Sequence, residues 1–290
     1  MFKGSIVAIV TPFKGGQVDE AGYRELIEFQ IENGTSAIVP CGTTGESATL
    51  SMDEHAHVID ICVDAVKKRV PVIAGTGGNN TQEAIELTRH AKEAGADATL
   101  QVTPYYNKPT QEGLYQHFST IAREVPLPQV LYNVPGRTSV NMLPETVARL
   151  AELPEVVGVK EASGSLSQMA DILNLAGDKI TLLSGDDNVL MPVLSIGGKG
   201  VISVVANIIP RDVADVIDAW EQGNAEQARE RFFKIFPLCR AMFFETNPIP
   251  VKTALGLVGR IDGEMRLPLS PMAPANLEKL KQALEAYGLL

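Results

Sequence analysis

The stretch Pro154–Gly164, PEVVGVKEASG, places a lysine at the end of an apolar run. Val156, Val157 and Val159 form a nearly continuous apolar strand rather than an alternating one, the pattern of a strand covered on both faces. The run then stops on Lys160. Burying an unpaired ammonium is costly, so a buried lysine tends to shed its proton, and the neutral amine is a nucleophile. Read alone, Lys160 has a second interpretation: it can snorkel to water at the strand end and pair with a carboxylate.

Working outward, runs of the same kind recur along the chain. SIVAIVTPF begins at Ser5, SAIVPCGTT at Ser36, PVIAGTG at Pro71 and ATLQVTPYY at Ala98. PQVLYNVP follows at Pro128, EVVGVKEAS at Glu155, ITLLSGDD at Ile180 and GVISVVAN at Gly200. Segments with helical periodicity lie between them, such as DEAGYRELIEFQIENG and TQEAIELTRHAKEAGA. Thr81 and Asp53 are the expected N-caps, and Gly34 and Gly95 the expected stops. Eight strand and helix pairs predict an α/β fold, a closed (β/α)8 TIM barrel over residues 1–224. A doubly wound open sheet is the alternative, but TPFKGG stands where its glycine-rich fingerprint belongs. Residues 225–290 read as a C-terminal helical region. No low-complexity linker precedes it, so it is expected to pack on the barrel.

Composition narrows the functions. The chain is 45% hydrophobic and 21% charged, with a net charge of −10. Such a balance argues against a nucleic-acid surface, which needs clustered lysine and arginine. No apolar run reaches the roughly 20 residues of a membrane span. The N-terminus lacks a signal-peptide cleavage pattern. Cys41, Cys62 and Cys239 are few, odd in number and scattered, which suits reduced buried thiols in the cytoplasm. The four histidines, His55, His57, His90 and His117, have no metal-ligand spacing, so no metal and no cofactor is expected. GTGGNN at Gly75 and GGKG at Gly197 complete no phosphate-loop pattern and read as turns.

In a barrel of this class the active site lies at the C-terminal ends of the strands. Thr43 and Thr44 follow the second strand, and Tyr105 and Tyr106 the fourth. Tyr132, Asn133 and Arg137 stand at or beyond the fifth, Lys160 and Glu161 close the sixth, and Gly185, Asp186 and Asp187 follow the seventh. An amine nucleophile, a phenol to move protons and an arginine to clamp a carboxylate are what Schiff-base chemistry on a 2-oxo acid requires. Each also has an ordinary reading: Tyr132 as a core aromatic, Arg137 as a loop arginine, Thr43 and Thr44 as turn residues.

GTTGES (Gly42–Ser47), TPYYNKP, YNVPGRT (Tyr132–Thr138), GVKEASG (Gly158–Gly164) and NPIPVK stand in order along the chain. Together they resemble the motifs of the dihydrodipicolinate synthase family, across almost the whole length. The resemblance implies condensation of pyruvate with L-aspartate 4-semialdehyde on the diaminopimelate route to lysine. It implies Lys160 as the imine-forming lysine, Tyr132 as the proton-shuttling phenol and Thr43 as its relay partner. Tyr106 is implied to reach in from a neighbouring subunit of a homotetramer built as a dimer of dimers. Thr44, Gly185 and the backbone at Ile202 are implied to bind substrate, and Arg137 to receive the semialdehyde's carboxylate. A feedback site for L-lysine, distinct from the catalytic mouth, is implied at Ser47, Ala48, His55, Asn79, Glu83 and Tyr105. Met52 departs from the enterobacterial-type pattern, which has a second histidine there, and weakened inhibition is expected.

Another lysine-dependent aldolase, such as N-acetylneuraminate lyase or a keto-deoxy-sugar-acid aldolase, is the alternative within the superfamily. Thr44 and the GRT at Gly136–Thr138 follow the synthase pattern instead. A non-enzymatic 2-oxo-acid-binding barrel is the more distant alternative.

Overall fold

Strand β6, Val156–Glu161, sits in the middle of an eight-stranded sheet in the computed structural model, which describes residues 2–290. The other strands, in chain order, are β1 (Gly4–Ala8), β2 (Ala37–Val39), β3 (Ile73–Gly75) and β4 (Ala98–Val102). Then come β5 (Gln129–Asn133), β7 (Thr181–Ser184) and β8 (Gly200–Ser203). All pairings in this sheet are parallel, and β1 pairs with both β2 and β8. A parallel bridge between Ile38 and Val72 joins β2 to the segment entering β3, so the sheet comes round into a nearly closed barrel. The expected eight-stranded barrel is therefore what the chain forms.

Alternation of side chains along the strands splits the apolar residues into two layers. Ile6, Val39, Ile73, Leu100, Val130, Leu183 and Ile202 fill the barrel interior. Val7, Ile38, Val201 and their neighbours face outward onto the helices. Fully burying each such side chain is worth about 1.5–3 kcal/mol, which is why continuous Val/Ile runs stay in this sheet.

The helices that matter for the site are α1 (Glu20–Glu32), α2 (Met52–Val66), α3 (Thr81–Ala94), α4 (Gln111–Glu124), the short α5 (Pro135–Thr138), α6 (Pro144–Leu150) and α7 (Leu166–Ala176). Two caps differ from the expectation. Asn80, not Thr81, caps α3 through the Gln82 amide, and Ser51, not Asp53, caps α2. Ser51 prevails because Glu54 returns the bond to its backbone N–H, forming a reciprocal capping box. The stops behave as expected, with Gly34 just beyond α1 and Gly95 at the end of α3, both at positive φ.

After α8 (Leu190–Ser195) and α9 (Pro210–Glu221), the chain continues as α10 (Ala225–Ala241), α11 (Ile249–Leu257) and α12 (Pro274–Tyr287). Phe232, Ile235, Leu255 and Leu280 from these last helices share one apolar cluster with Ile27, Val58 and Val213. Two elements had no sequence signal strong enough to anticipate. One is a hairpin of Phe13–Lys14 against Gln17–Val18, and the other is α11, which begins at Ile249 inside the NPIPVK motif.

Candidate active site

Tyr132 and Lys160 are register partners on β5 and β6. The period of two turns both inward, and Lys160 Nζ lies 4.2 Å from the centroid of the Tyr132 ring. Both residues are almost fully buried, at 6% and 5% exposure. Lys160 has no ion-pair partner among the described residues. Lys252, the other buried lysine, has one in Glu46. The snorkelling alternative for Lys160 therefore loses its carboxylate.

The same alternation sends Asn133 and Glu161 the other way. Both are the last residues of strands that run to the mouth, yet the two form a buried network behind the barrel wall. Asn133 Nδ2 donates to both Glu161 carboxylate oxygens at 3.1 and 3.0 Å. Gln168 Nε2 and the Ser163 amide donate to the same carboxylate. Asp187 is also removed from the mouth: its Oδ2 accepts the amides of Val204 and Val205, each at 3.0 Å. These groups brace the walls that hold Lys160 and the end of β8.

The Gly42–Ser47 loop leaves β2 in a tight turn, with the amides of Gly45 and Ser47 both directed to the Gly42 carbonyl. Gly75 of β3 lies directly beneath, where an added Cβ would come within 2.3 Å of the Cys41 carbonyl oxygen. Only glycine allows that approach. Thr44 is buried, and its hydroxyl accepts from Asn247 Nδ2 at 3.0 Å. Asn247 also accepts, through its backbone carbonyl, a bond from Arg137 Nη2 at 2.9 Å. Gly185 packs on Ala162, where a Cβ would fall 2.6 Å from the alanine methyl. Ile202 lies in the barrel interior, paired in register with Ile6.

Thr43, Gly42, Gly75 and Tyr132 line a small inner pocket of about 40 Å³. Thr43 and Tyr132 share this space without a direct hydrogen bond. Above it opens a groove of about 380 Å³, lined by Thr43, Arg137, Thr138 and Asn247 together with Ser47, Ala48, Met52, His55, Glu83 and Tyr105. Asn79 borders it, donating to the Tyr105 carbonyl at 3.2 Å. The residues expected for an effector thus converge, but in the single chain they open onto the same groove as Thr43 and Arg137. Tyr106 is not brought in. It is 90% exposed, at φ 71°, and lines neither cavity. A bulky residue held in the left-handed region is a costly conformation that surroundings or function must sustain.

His55 is buried with Nδ1 unpartnered, and burial pulls its imidazole down to about 4 from the ordinary 6.5. His117, beneath Thr81, is lowered to about 4 by the same cause. Both therefore stand neutral at neutral pH. A depressed folded pKa means the unfolded chain binds the proton first, so stability falls as pH drops from about 6.5 to about 4. Each site contributes on the order of 3 kcal/mol to that loss at the acid end. Urea midpoints measured across this range should decline steeply for the wild type and less so for His117→Gln. Parallel curves would show that His117 does not titrate in this way.

Among the described residues no three His, Cys, Asp or Glu side chains converge as metal ligands would, and no helix is long and apolar enough to cross a membrane. Sequence reasoning assigned no role to Asn247, which ties Thr44 to Arg137. Its only signal is its place at the head of the NPIPVK motif.

The sequence profile of the dihydrodipicolinate synthetase family matches residues 1–287. The 4-hydroxy-tetrahydrodipicolinate synthase of Geotalea uraniireducens (strain Rf4) is 62% identical over 290 residues, covering 100% of both chains. Among solved structures, a chloride-inhibited dihydrodipicolinate synthase from Acinetobacter baumannii complexed with pyruvate superposes with a TM-score of 0.98. It is 49% identical and both chains are covered at 100%. The enzyme from Cyanidioschyzon merolae with lysine bound has a TM-score of 0.97 at 44% identity, over 100% of this chain and 99% of that one. With its motifs carried on this barrel from end to end, the chain belongs to the dihydrodipicolinate synthetase family.

Proposed function

We propose that the chain makes 4-hydroxy-tetrahydrodipicolinate from pyruvate and L-aspartate 4-semialdehyde. The observation that carries the reading is a buried lysine without an ion pair, 4.2 Å from the ring of a tyrosine that lines the inner pocket beside Thr43. Lys160 attacks the pyruvate ketone, and loss of water leaves an imine. The imine withdraws electrons, so the methyl group gives up a proton and becomes the enamine carbon. That carbon attacks the aldehyde of the second substrate, whose oxygen takes up a proton. The semialdehyde's amine then closes onto the imine carbon and releases Lys160. Tyr132 and Thr43 are assigned to the proton transfers, and Thr44, Gly185 and the Ile202 backbone to the pyruvate pocket. Arg137, open to the groove, is assigned to the semialdehyde's carboxylate. A coupled assay tests the reading: turnover is expected with the semialdehyde, and turnover only with N-acetylmannosamine or glyceraldehyde as acceptor would replace it with an aldolase of another specificity.

The proposal includes a homotetramer, a dimer of dimers, in which Tyr106 completes the relay of a neighbouring copy; its exposure in the single chain supports this. It also divides the chain into a catalytic barrel, residues 1–224, and a packed helical region, residues 225–290, which the shared apolar cluster supports. The three buried free thiols favour the cytoplasm.

L-lysine is the proposed effector, with Glu83 taking its ammonium beside Ser47, Ala48, His55, Asn79 and Tyr105. The lysine-bound relative supports this. Met52 offers a thioether where a hydrogen-bond donor would help, and one neutral bond is worth roughly 1 kcal/mol, a several-fold change. Inhibition curves should show weak inhibition by L-lysine, several-fold stronger in Met52→His and absent in Glu83→Ala. Unchanged inhibition in Glu83→Ala would remove the site from this groove.

A further inference from the structure

The GTTGES loop carries Thr43 and Thr44 of the proposed catalytic site, and its one acidic residue, Glu46, is turned into the protein interior. Glu46 is 4% exposed and holds φ 53°. Its Oε1 pairs with the ammonium of Lys252, a residue with no exposure at all on α11. The same ammonium donates to the Thr11 carbonyl at 2.9 Å and stands 4.2 Å from the centroid of the Phe13 ring. Thr11 in turn donates through its hydroxyl to the Gly45 carbonyl at 2.8 Å. The second oxygen of Glu46 accepts the Arg266 amide at 3.1 Å. The loop is thus held from inside by one buried cation, itself held by the segment that follows β1.

We propose that Lys252 is a positioning residue, acting through Glu46 to set the Thr43–Thr44 backbone against Lys160. The inference rests on the synthase reading and extends it. Three features of this pair point beyond mere stability. A buried ion pair is weak evidence for stabilisation, because an apolar pair of similar volume is often as stable. The pair spans 206 residues to reach a loop whose Thr43 lines the inner pocket with Tyr132 and whose Thr44 is bonded to Asn247. Glu46 is also a non-glycine residue in the left-handed region, a conformation that needs an outside tether to persist. The amide of Glu46 donates to the Thr43 carbonyl at 3.1 Å, so a shift of Glu46 is transmitted directly to Thr43. Misplacement by about 1 Å at such a site costs on the order of 100-fold in rate.

The test is single-turnover trapping of pyruvate by borohydride on the full chain, at a temperature well below each variant's midpoint. Glu46→Gln, which keeps volume and a hydrogen bond, and Lys252→Met are the primary variants, with Glu46→Leu/Lys252→Met as the apolar replacement of the pair. Trapping at saturating pyruvate is expected to slow about 10- to 100-fold in each single variant. The double variant should regain part of the melting temperature lost in Lys252→Met, the Arg266 amide and Thr11 carbonyl staying without their partners, and none of the rate. That split between stability and rate is what a purely structural pair cannot produce. If Lys252→Met fails to fold, Glu46→Gln and the double variant decide. Folded variants that trap pyruvate at the wild-type rate overturn the proposal, as does a double variant that recovers rate together with stability. A wild type that traps no pyruvate at all overturns the synthase reading instead, and this inference with it.

Discussion

Reduction with borohydride in the presence of pyruvate is expected to add one pyruvate-derived group to the chain, at Lys160. The amine lies at the end of an apolar strand, buried and without an ion pair, beside the one tyrosine that shares its register. Replacing it with arginine should abolish trapping, because a guanidinium stays protonated and cannot serve as an amine nucleophile. Turnover should fall by about 10³-fold or more, the scale of losing a covalent nucleophile. Lys160→Met adds a second readout. Removing a buried polar side-chain terminus that has no ion-pair partner relieves a desolvation cost and orphans no counter-charge, so this inactive variant should melt no lower than the wild type. Mass mapping that finds the adduct on another lysine, or finds none, would sink the assignment.

Arg137→Ala is expected to separate the two substrates. The guanidinium spends Nη2 on the Asn247 carbonyl and keeps its remaining donors at the groove. A charge-assisted, bidentate contact with a carboxylate in a partly enclosed site is worth about 2–5 kcal/mol. Its loss should lower kcat/KM for the semialdehyde roughly 30- to 4000-fold. Pyruvate trapping at Lys160 should change by no more than a few-fold, since no step of imine formation touches that carboxylate. Arg137→Lys should recover only part of the loss, because a point charge lacks the planar fork. Steady-state kinetics with unchanged semialdehyde use in Arg137→Ala would remove the residue from substrate recognition.

What the sequence by itself determined was the repeat of near-continuous Val, Ile and Leu runs, and with it the eight parallel strands. Strands buried on both faces need that composition, and it can be read without knowing any partner. The strand-end positions of Lys160, Tyr132, Thr43 and Arg137 follow from the same reading, because a barrel gathers its strand ends at one mouth. Only the tertiary structure decided which of the strand-end polar groups enter that mouth. Tyr132 and Asn133 are adjacent in sequence, as are Lys160 and Glu161, and the pleat sends one of each pair inward and the other behind the wall. Only the tertiary structure, too, joined Thr44 to Asn247 and Glu46 to Lys252, contacts that span 203 and 206 residues. No local pattern encodes such a pairing. It exists because α11 comes back over the open end of the barrel, and a buried polar group must find its partner wherever the fold has placed one.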